Sequence, residues 1–222
     1  MAAGKFITFE GGEGIGEERS QPAHQPRVGG PQYNTGGNRR IGNLRVPCTK
    51  QDRCKVLLSG KVKHFGPMAE ALLFYTARDS HLELTIRPAL ARGRFVISDR
   101  FFDSTRAYQG AAGGVSIDVL NALERIIVGT SRPDLTFILD LPPEEGLRRA
   151  KARAEDNGES IDRFEKMKLS FHEDLRREFL RIAKAEPWRC VVIDSTQPRE
   201  EVADLIWNTT VERLEIELYR RA

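Results

Sequence analysis

Short apolar runs alternate with longer amphipathic stretches over most of this chain. The short runs are rich in Phe, Ile, Val and Leu and predict buried β-strands at residues 5–9, 94–98, 134–141 and 190–193. Apolar residues at helical spacing predict helices at residues 68–92, 116–128, 144–154, 170–185 and 198–219. We expect Pro88 to interrupt the first helix and Ser116 to cap the second. Because strands alternate with helices, the pattern predicts an α/β fold with a mainly parallel sheet and helices on both faces.

Residues 17–55 depart from this alternation. Eight of these 39 residues are hydrophobic, and the segment has no Phe, Met or Trp. It contains four prolines and five glycines, a composition typical of irregular chain. We therefore predict a single domain over residues 1–222 that contains an aberrant, irregular segment at 17–55.

Charge and composition narrow the classes of protein that fit this chain. The net charge is +3, but residues 17–55 carry +5 (eight Lys/Arg against three Asp/Glu) and the remainder carries −2. The excess of positive charge therefore lies in one segment and does not predict a nucleic-acid-binding domain. No run of 18 apolar residues and no signal-peptide pattern occur, so we expect a cytoplasmic protein without a membrane partner. The three cysteines form no C-x-x-C pair, which argues against a cysteine–metal site.

A glycine-rich loop follows the first predicted strand. Gly11 and Gly16 match the phosphate-binding pattern G-x-x-x-x-G-K-[ST], but Glu17 and Glu18 stand where Lys and Ser/Thr belong. Backbone N–H groups of such a loop can bind phosphate, whereas two carboxylates should repel a triphosphate. From the loop alone, nucleotide binding and a bare glycine turn both remain open. The candidate ATP-phosphate-binding residues are Gly11, Gly12, Glu13, Gly14, Ile15, Gly16, Glu17 and Glu18.

Three further features carry candidate chemistry. Asp99 and Arg100 follow the strand at 94–98, where a carboxylate can hold magnesium and a guanidinium can grip a phosphate; the alternative is a helix cap beside a surface arginine. Phe74 and Arg78 share one helix face and could bind a base, or they could be a core Phe beside a solvated Arg.

The third feature is a polar, charged stretch centred on residues 157–158. Its composition suggests a mobile lid over residues 149–163, bearing Arg149, Arg153 and Arg163. Such a lid could close on a transferring phosphate and neutralise its charge. The alternative is an ordinary solvated loop.

Taken together, these motifs resemble the thymidylate kinase family. Residues 6–14 are similar to its first strand and P-loop, 70–81 to its thymidine-binding helix, and 99–110 to its Asp-Arg-aromatic motif and the turn that follows. Residues 132–142 resemble its fourth strand and 162–165 the end of its lid. The resemblance covers residues 4–16 and about 56–215.

The resemblance implies a P-loop nucleoside-monophosphate kinase fold and transfer of the ATP γ-phosphate to dTMP with Mg²⁺. It also implies a homodimer through the helix that carries Phe74. The small-molecule partners would be ATP and dTMP, with no nucleic acid. The implied dTMP-binding residues are Phe74 (stacking on thymine), Arg78 (base or phosphate), Arg100 (phosphate) and Tyr108 (deoxyribose). The implied catalytic residues are Glu13 by the acceptor sugar, Asp99 near the metal and Arg153 as the lid cation.

The segment at 17–55 leaves the family pattern, and three explanations stay open. A one-base insertion in the coding DNA would turn the P-loop codons AAG-AGC, for Lys-Ser, into codons for Glu-Glu and the start of an Arg codon, as at residues 17–19. A real divergent insertion and an arginine-rich nucleic-acid arm are the alternatives. We predict a thymidylate kinase by descent that is inactive or impaired. The rival is a non-catalytic nucleotide-binding protein that retains a dTMP pocket.

Overall fold

A four-stranded parallel sheet forms the centre of the molecule. The computed structural model describes residues 4–14, 33–34, 66–158, 163–216 and 219–220. In these residues the strands of the sheet are β1 (Phe6–Gly11), β3 (Val96–Asp99), β4 (Leu135–Asp140) and β5 (Cys190–Asp194). Their order across the sheet is β3-β1-β4-β5, and each neighbouring pair is parallel. The predicted parallel α/β architecture is therefore confirmed.

A separate two-residue pairing lies outside this sheet. β2 (Tyr33–Asn34) pairs antiparallel with β6 (Tyr219–Arg220). These two residues of β2 fall within the segment 17–55 that the sequence predicts to be irregular. The rest of that segment, 17–32 and 35–55, lies outside the described residues.

Helices cover both faces of the sheet. On one face Ile138 of β4 packs with Leu175 and Phe179, while on the other Phe137 and Leu139 contact Val202 and Ile206. The helices are α1 (Pro67–His81), α2 (Arg87–Ala91), α3 (Phe102–Thr105), α4 (Ile117–Ile127), α5 (Pro143–Asn157), α6 (Leu169–Ala185) and α7 (Arg199–Arg213). Two π-helical turns continue helices, Leu82–Ile86 after α1 and Arg106–Ala111 after α3.

Two predicted helix signals occur as expected. Pro88 lies in the first turn of α2, just after the π-helical turn that interrupts the long helix. Ser116 caps α4, because its Oγ accepts a hydrogen bond from the Asp118 N–H at 3.3 Å.

Two helix boundaries differ from the sequence prediction. Helix α5 continues to Asn157, three residues beyond the predicted end at 154, and ends at Gly158 in the left-handed conformation (φ 64°), so residues 149–157 of the predicted lid lie on this helix. Helix α7 ends at Arg213, short of residue 219, and Glu215 then has a positive φ of 50°. The left-handed cap at Gly158 sets the end of α5, whereas the polar composition of residues 149–157 fits a solvated helix and a loop equally well.

The strand register determines where the site lies. Phe9 pairs with Asp99, and Gly11 pairs with Leu139, so β1, β3 and β4 end at the same edge of the sheet. Side chains that follow these strands therefore meet at this carboxyl edge, where ligands bind in open parallel sheets. No helix in the described part of the chain is long and apolar enough to cross a membrane.

Candidate active site

The glycine loop packs directly against the first turn of α5. Gly14 has a φ of 74°, and a Cβ at this position would lie 2.1 Å from the Gly146 carbonyl oxygen. A Cβ at Gly146 would lie 2.5 Å from the Glu13 carbonyl oxygen. Both positions therefore require glycine. The remaining predicted phosphate-binding residues, Ile15, Gly16, Glu17 and Glu18, lie outside the described residues.

Arg100 links the end of β3 to this loop. Its Nη1 donates to the Gly11 carbonyl at 2.6 Å and its Nη2 donates to the Gly12 carbonyl at 2.9 Å. Nη2 also lies 3.7 Å from Oε2 of Glu13. The Arg100 side chain keeps about a third of its surface exposed (35%), so the guanidinium remains within reach of solvent or a ligand.

Tyr108 completes a cluster with Glu13 and Arg100. Its hydroxyl donates to Oε1 of Glu13 at 2.6 Å, and its ring centroid lies 5.2 Å from the Arg100 guanidinium carbon. The Tyr108 ring makes T-shaped contacts with three phenylalanine rings, those of Phe164, Phe171 and Phe179, at centroid distances of 5.1–6.4 Å. The fold thus brings together three residues that the sequence assigns to the site.

Glu10 is a buried carboxylate next to this cluster, and sequence reasoning missed it. It accepts hydrogen bonds from the Phe101 N–H at 2.7 Å and from the Ser104 hydroxyl at 2.5 Å. Burial, together with the nearby charge of Asp103, raises the pKa of Glu10 to about 7, against the opposing effects of the Ser104 bond and the Arg100 charge. The signal that could have identified it is a Glu near the carboxyl end of an apolar strand.

Arg78 binds the protein itself. Its Nη2 donates to the Phe101 carbonyl at 2.8 Å and to the Thr105 hydroxyl at 2.9 Å, and its guanidinium carbon lies 4.5 Å from the Tyr75 ring centroid. Arg78 is 9% exposed, so the alternative of a solvated arginine is wrong. Phe74 lies four residues earlier on α1 and is half-buried. Arg78 therefore joins α1 to the chain that follows β3.

The arginines assigned to the lid form ion pairs. Arg153 donates from Nη2 to Glu165 at 3.0 Å, and Arg163 contacts Glu70 of α1 at 2.6 Å. Arg149 donates to Glu145 at 2.7 Å. Gln109 also donates to Glu70, at 3.3 Å, so Glu70 connects α1, the chain after β3 and residue 163. Residues 159–162 of the predicted lid lie outside the described residues.

Comparison with known proteins assigns the chain to a family. A thymidylate kinase family model matches residues 53–206. A thymidylate kinase of Rhodopseudomonas palustris is 48% identical over 95% of this chain and 90% of its own length. The chain belongs to the thymidylate kinase family. Thymidylate kinases of Bradyrhizobium (46% identity, 95% of this chain, 91% of the relative) and Caulobacter vibrioides (43%, 96% and 99%) are similar to it as well.

Family membership confirms two predictions made from the sequence. The parallel sheet with its helices is the P-loop nucleoside-monophosphate kinase fold of thymidylate kinases. The enzyme class is that of a nucleoside-monophosphate kinase, a transferase that uses ATP. The family match begins at residue 53, near the end of the segment 17–55.

Asp99 is the candidate metal ligand on the thymidylate kinase pattern. It is exposed at the end of β3, while Asp140 at the end of β4 is held by Arg176 at 2.7 and 2.9 Å. Among the described residues, no group of three His, Cys, Asp or Glu side chains could enclose a metal ion. A lone exposed carboxylate fits Mg²⁺, which usually takes one or two protein carboxylates and completes its shell with water and substrate phosphates.

Proposed function

We propose that this chain binds dTMP through the acceptor site of a thymidylate kinase and that its transfer of phosphate from ATP is absent or strongly impaired. The observation that carries the proposal is the cluster of Arg100, Glu13 and Tyr108 at the end of β1. An intact enzyme of this kind converts dTMP to dTDP in the supply of dTTP. A cytoplasmic location and the absence of a nucleic-acid partner remain predictions from the sequence.

The chemistry of the cluster suits a deoxynucleoside monophosphate. Arg100 keeps a third of its side chain exposed, and the N–H groups that do not donate to Gly11 and Gly12 would donate to phosphate oxygens. Phe74 offers an aromatic face for thymine, and Tyr108 would lie against the deoxyribose, where a 2′-hydroxyl would clash. Glu13, fixed by the Tyr108 hydroxyl, would face the acceptor sugar. Arg78 would support this site from α1 through its bonds to Phe101 and Thr105.

The donor side lacks two groups on which phosphoryl transfer depends. Glu17 and Glu18 replace the lysine that neutralises the β- and γ-phosphates and the hydroxyl that contacts magnesium. Asp99 would hold Mg²⁺, which supplies charge neutralisation across the phosphates. Arg153 would remain as a cation for the transferring group. A single arginine does not replace the missing contacts, because stabilisation of the transition state depends on several positioned charges.

One experiment separates the two halves of the proposal. Calorimetric titration with dTMP should show weak binding, while a coupled assay with ATP, dTMP and Mg²⁺ should show no turnover above background. Turnover close to that of the Rhodopseudomonas relative would contradict the impaired donor site. A chain that does not bind dTMP would contradict the acceptor site.

A second candidate function is a non-catalytic nucleotide-binding protein that retains the dTMP pocket. The acceptor cluster is assembled in the described residues, whereas the P-loop lysine is missing from the sequence, and this contrast favours it. The coding DNA distinguishes a natural divergent protein from a sequence altered by an inserted base. Resequencing codons 15–57 should show whether the frame is uninterrupted, as a natural divergent protein requires, or carries an inserted base.

A further inference from the structure

Residues 100–109, which we call the acceptor segment, contain one member of a buried pair of opposite charges. Asp103 of this segment is 0% exposed and Arg189, just before β5, is 3% exposed. Arg189 donates from Nη1 to Oδ2 of Asp103 at 2.8 Å and from Nη2 to Oδ1 at 2.9 Å. The two parallel bonds fix both the distance and the orientation of the pair.

The Arg189 guanidinium also ties the acceptor segment to the sheet. Its Nη1 donates to the Thr136 hydroxyl of β4 at 2.8 Å, and that hydroxyl lies 2.8 Å from the Thr8 hydroxyl of β1. The guanidinium carbon lies 4.9 Å from the centroid of the Phe102 ring. The acceptor segment is thereby placed relative to two central strands.

The acceptor segment depends on such anchors, because its own helices are short. Helix α3 has four residues and passes into a six-residue π-helical turn, and helices of this length are not stable alone. Glu10 supplies one anchor by accepting from Phe101 and Ser104. The pair of Asp103 and Arg189 supplies another. Arg100 precedes the anchored residues and Tyr108 follows them.

Stability alone does not account for an ion pair in this position. A buried pair can often be replaced by apolar side chains without loss of stability, whereas a bidentate pair also fixes orientation. We propose that Asp103 and Arg189 are positioning residues of the dTMP site, which hold Arg100 and Tyr108 in their binding geometry without touching the ligand. This proposal rests on the proposed dTMP-binding function.

Three variants separate positioning from simple stabilisation. Arg189→Met removes both hydrogen bonds to the buried Asp103 carboxylate and should destabilise the fold. Arg189→Lys keeps the charge but loses the two parallel bonds, and Asp103→Asn with Arg189→Met removes both charges. Urea unfolding measures stability, and calorimetric titration with dTMP measures affinity.

We expect the double variant to recover most of the stability that Arg189→Met loses, because Asp103 no longer carries a buried charge without its partner. Glu186 loses its 2.7 Å bond from Arg189 in both variants but keeps the 2.7 Å bond from Arg106. Its dTMP affinity, and that of Arg189→Lys, should stay about tenfold or more below the parent, because the binding groups are no longer held in place. Recovery of dTMP affinity in step with stability would overturn the positioning role.

Arg87→Met is the matched control. Arg87 is a partly buried arginine that donates to the Ile127 carbonyl and the Ser131 hydroxyl, away from the acceptor segment. Its replacement should lower stability while changing dTMP affinity by no more than about twofold, as expected for independent sites.

Hydrogen exchange tests the proposal without a ligand. Amides of residues 101–111 should exchange about tenfold faster in Arg189→Lys and in the double variant than in the parent, because local opening becomes easier. Arg87→Met should leave them unchanged. Failure of the parent to bind dTMP would refute the proposed function, and the exchange data would then decide the positioning role. Unchanged exchange in both variants would overturn it.

Discussion

At the scale of one residue, Arg100 combines a strained backbone conformation with a proposed role in dTMP binding. It has a positive φ of 58°, which is uncommon for a residue with a Cβ. Its N–H bonds to the Phe9 carbonyl at 2.9 Å, and its guanidinium bonds to two loop carbonyls. These contacts hold the residue in this conformation, and strained residues held in this way are frequent at ligand sites.

Replacing Arg100 by alanine should weaken dTMP binding by about 2 to 5 kcal/mol, the usual cost of removing one partner of a buried hydrogen-bonded charge pair, if the bound phosphate buries the guanidinium. Calorimetric titration of parent and variant measures the difference. Arg148→Ala is the control, since Arg148 is 68% exposed and contacts Glu145 on the outer face of α5. Equal affinities for Arg100→Ala and the parent would remove Arg100 from the site.

Glu10 gives the molecule a predictable dependence on pH. Its pKa is raised from 4.5 to about 7, so the folded protein binds its proton more tightly than the unfolded chain does. The contribution of Glu10 to the free energy of unfolding should therefore fall as pH rises from about 4.5 to about 7, by up to about 3 kcal/mol.

Glu10→Gln should remove this contribution and flatten the fall in stability between pH 5 and pH 8. Urea unfolding of parent and variant at several pH values measures the two slopes. The comparison cancels the titration of groups that do not interact with Glu10. Parallel curves for the two proteins would show that Glu10 ionises normally in the folded state.

At the scale of elements, the contact between the glycine loop and α5 determines the position of Glu13. Gly14 and Gly146 lie so close that neither has room for a side chain. This backbone contact sets the position of Glu13, whose carboxylate accepts a hydrogen bond from the Tyr108 hydroxyl. The close approach of a loop and a helix thus places a side chain of the site.

Gly146→Ala should force the loop and α5 apart and destabilise the protein by about 1 to 3 kcal/mol, the usual cost of overpacking. Urea unfolding measures the loss, and dTMP titration should show weaker binding because Glu13 moves. Gly66→Ala is the control, since a Cβ there meets no atom within 4 Å. A variant at 146 as stable as the one at 66 would contradict the close contact.

At the scale of the whole molecule, α1 exposes an apolar patch formed by Met68, Leu72 and Leu73. These side chains are 42%, 47% and 40% exposed. Exposed apolar clusters of this kind often mark protein interfaces. The patch supports the predicted homodimer through the helix that carries Phe74.

Leu72→Glu should convert the dimer to a monomer, because a charge would be buried at the interface. Light scattering coupled to size-exclusion chromatography measures the molar mass. Leu205→Glu changes a similarly exposed leucine on α7 (49% exposed) and should leave the dimer intact. A parent chain that is already monomeric would refute the predicted dimer.

Residues 17–55 control the activity of the whole chain in our proposal. A chimera that carries residues 15–57 from the Rhodopseudomonas relative should catalyse phosphoryl transfer, because the P-loop Lys and Ser/Thr return with their own surrounding sequence. Glu17→Lys with Glu18→Ser alone should recover little. The coupled assay compares both with the parent. An inactive but folded chimera would place the defect elsewhere.

The sequence by itself determined the order of the elements of this protein and proposed several site residues. Apolar runs and helical spacing predict the order of strands and helices, because burial of one face leaves a periodic pattern. Motifs that resemble those of thymidylate kinases propose Glu13, Asp99, Arg100 and Tyr108 as site residues, because each motif is contiguous in the chain. The end of α5 was predicted less well, because polar composition does not distinguish a solvated helix from a loop.

Only the tertiary structure decided which distant side chains share a site. Glu10 and Ser104 are 94 residues apart, and Asp103 and Arg189 are 86 apart, yet both pairs are hydrogen-bonded. Arg78, which the sequence allows to be solvated, is buried against Phe101 and Thr105. Such pairings leave no periodic signal, because they depend on the register of the parallel strands and the placement of short helices against them.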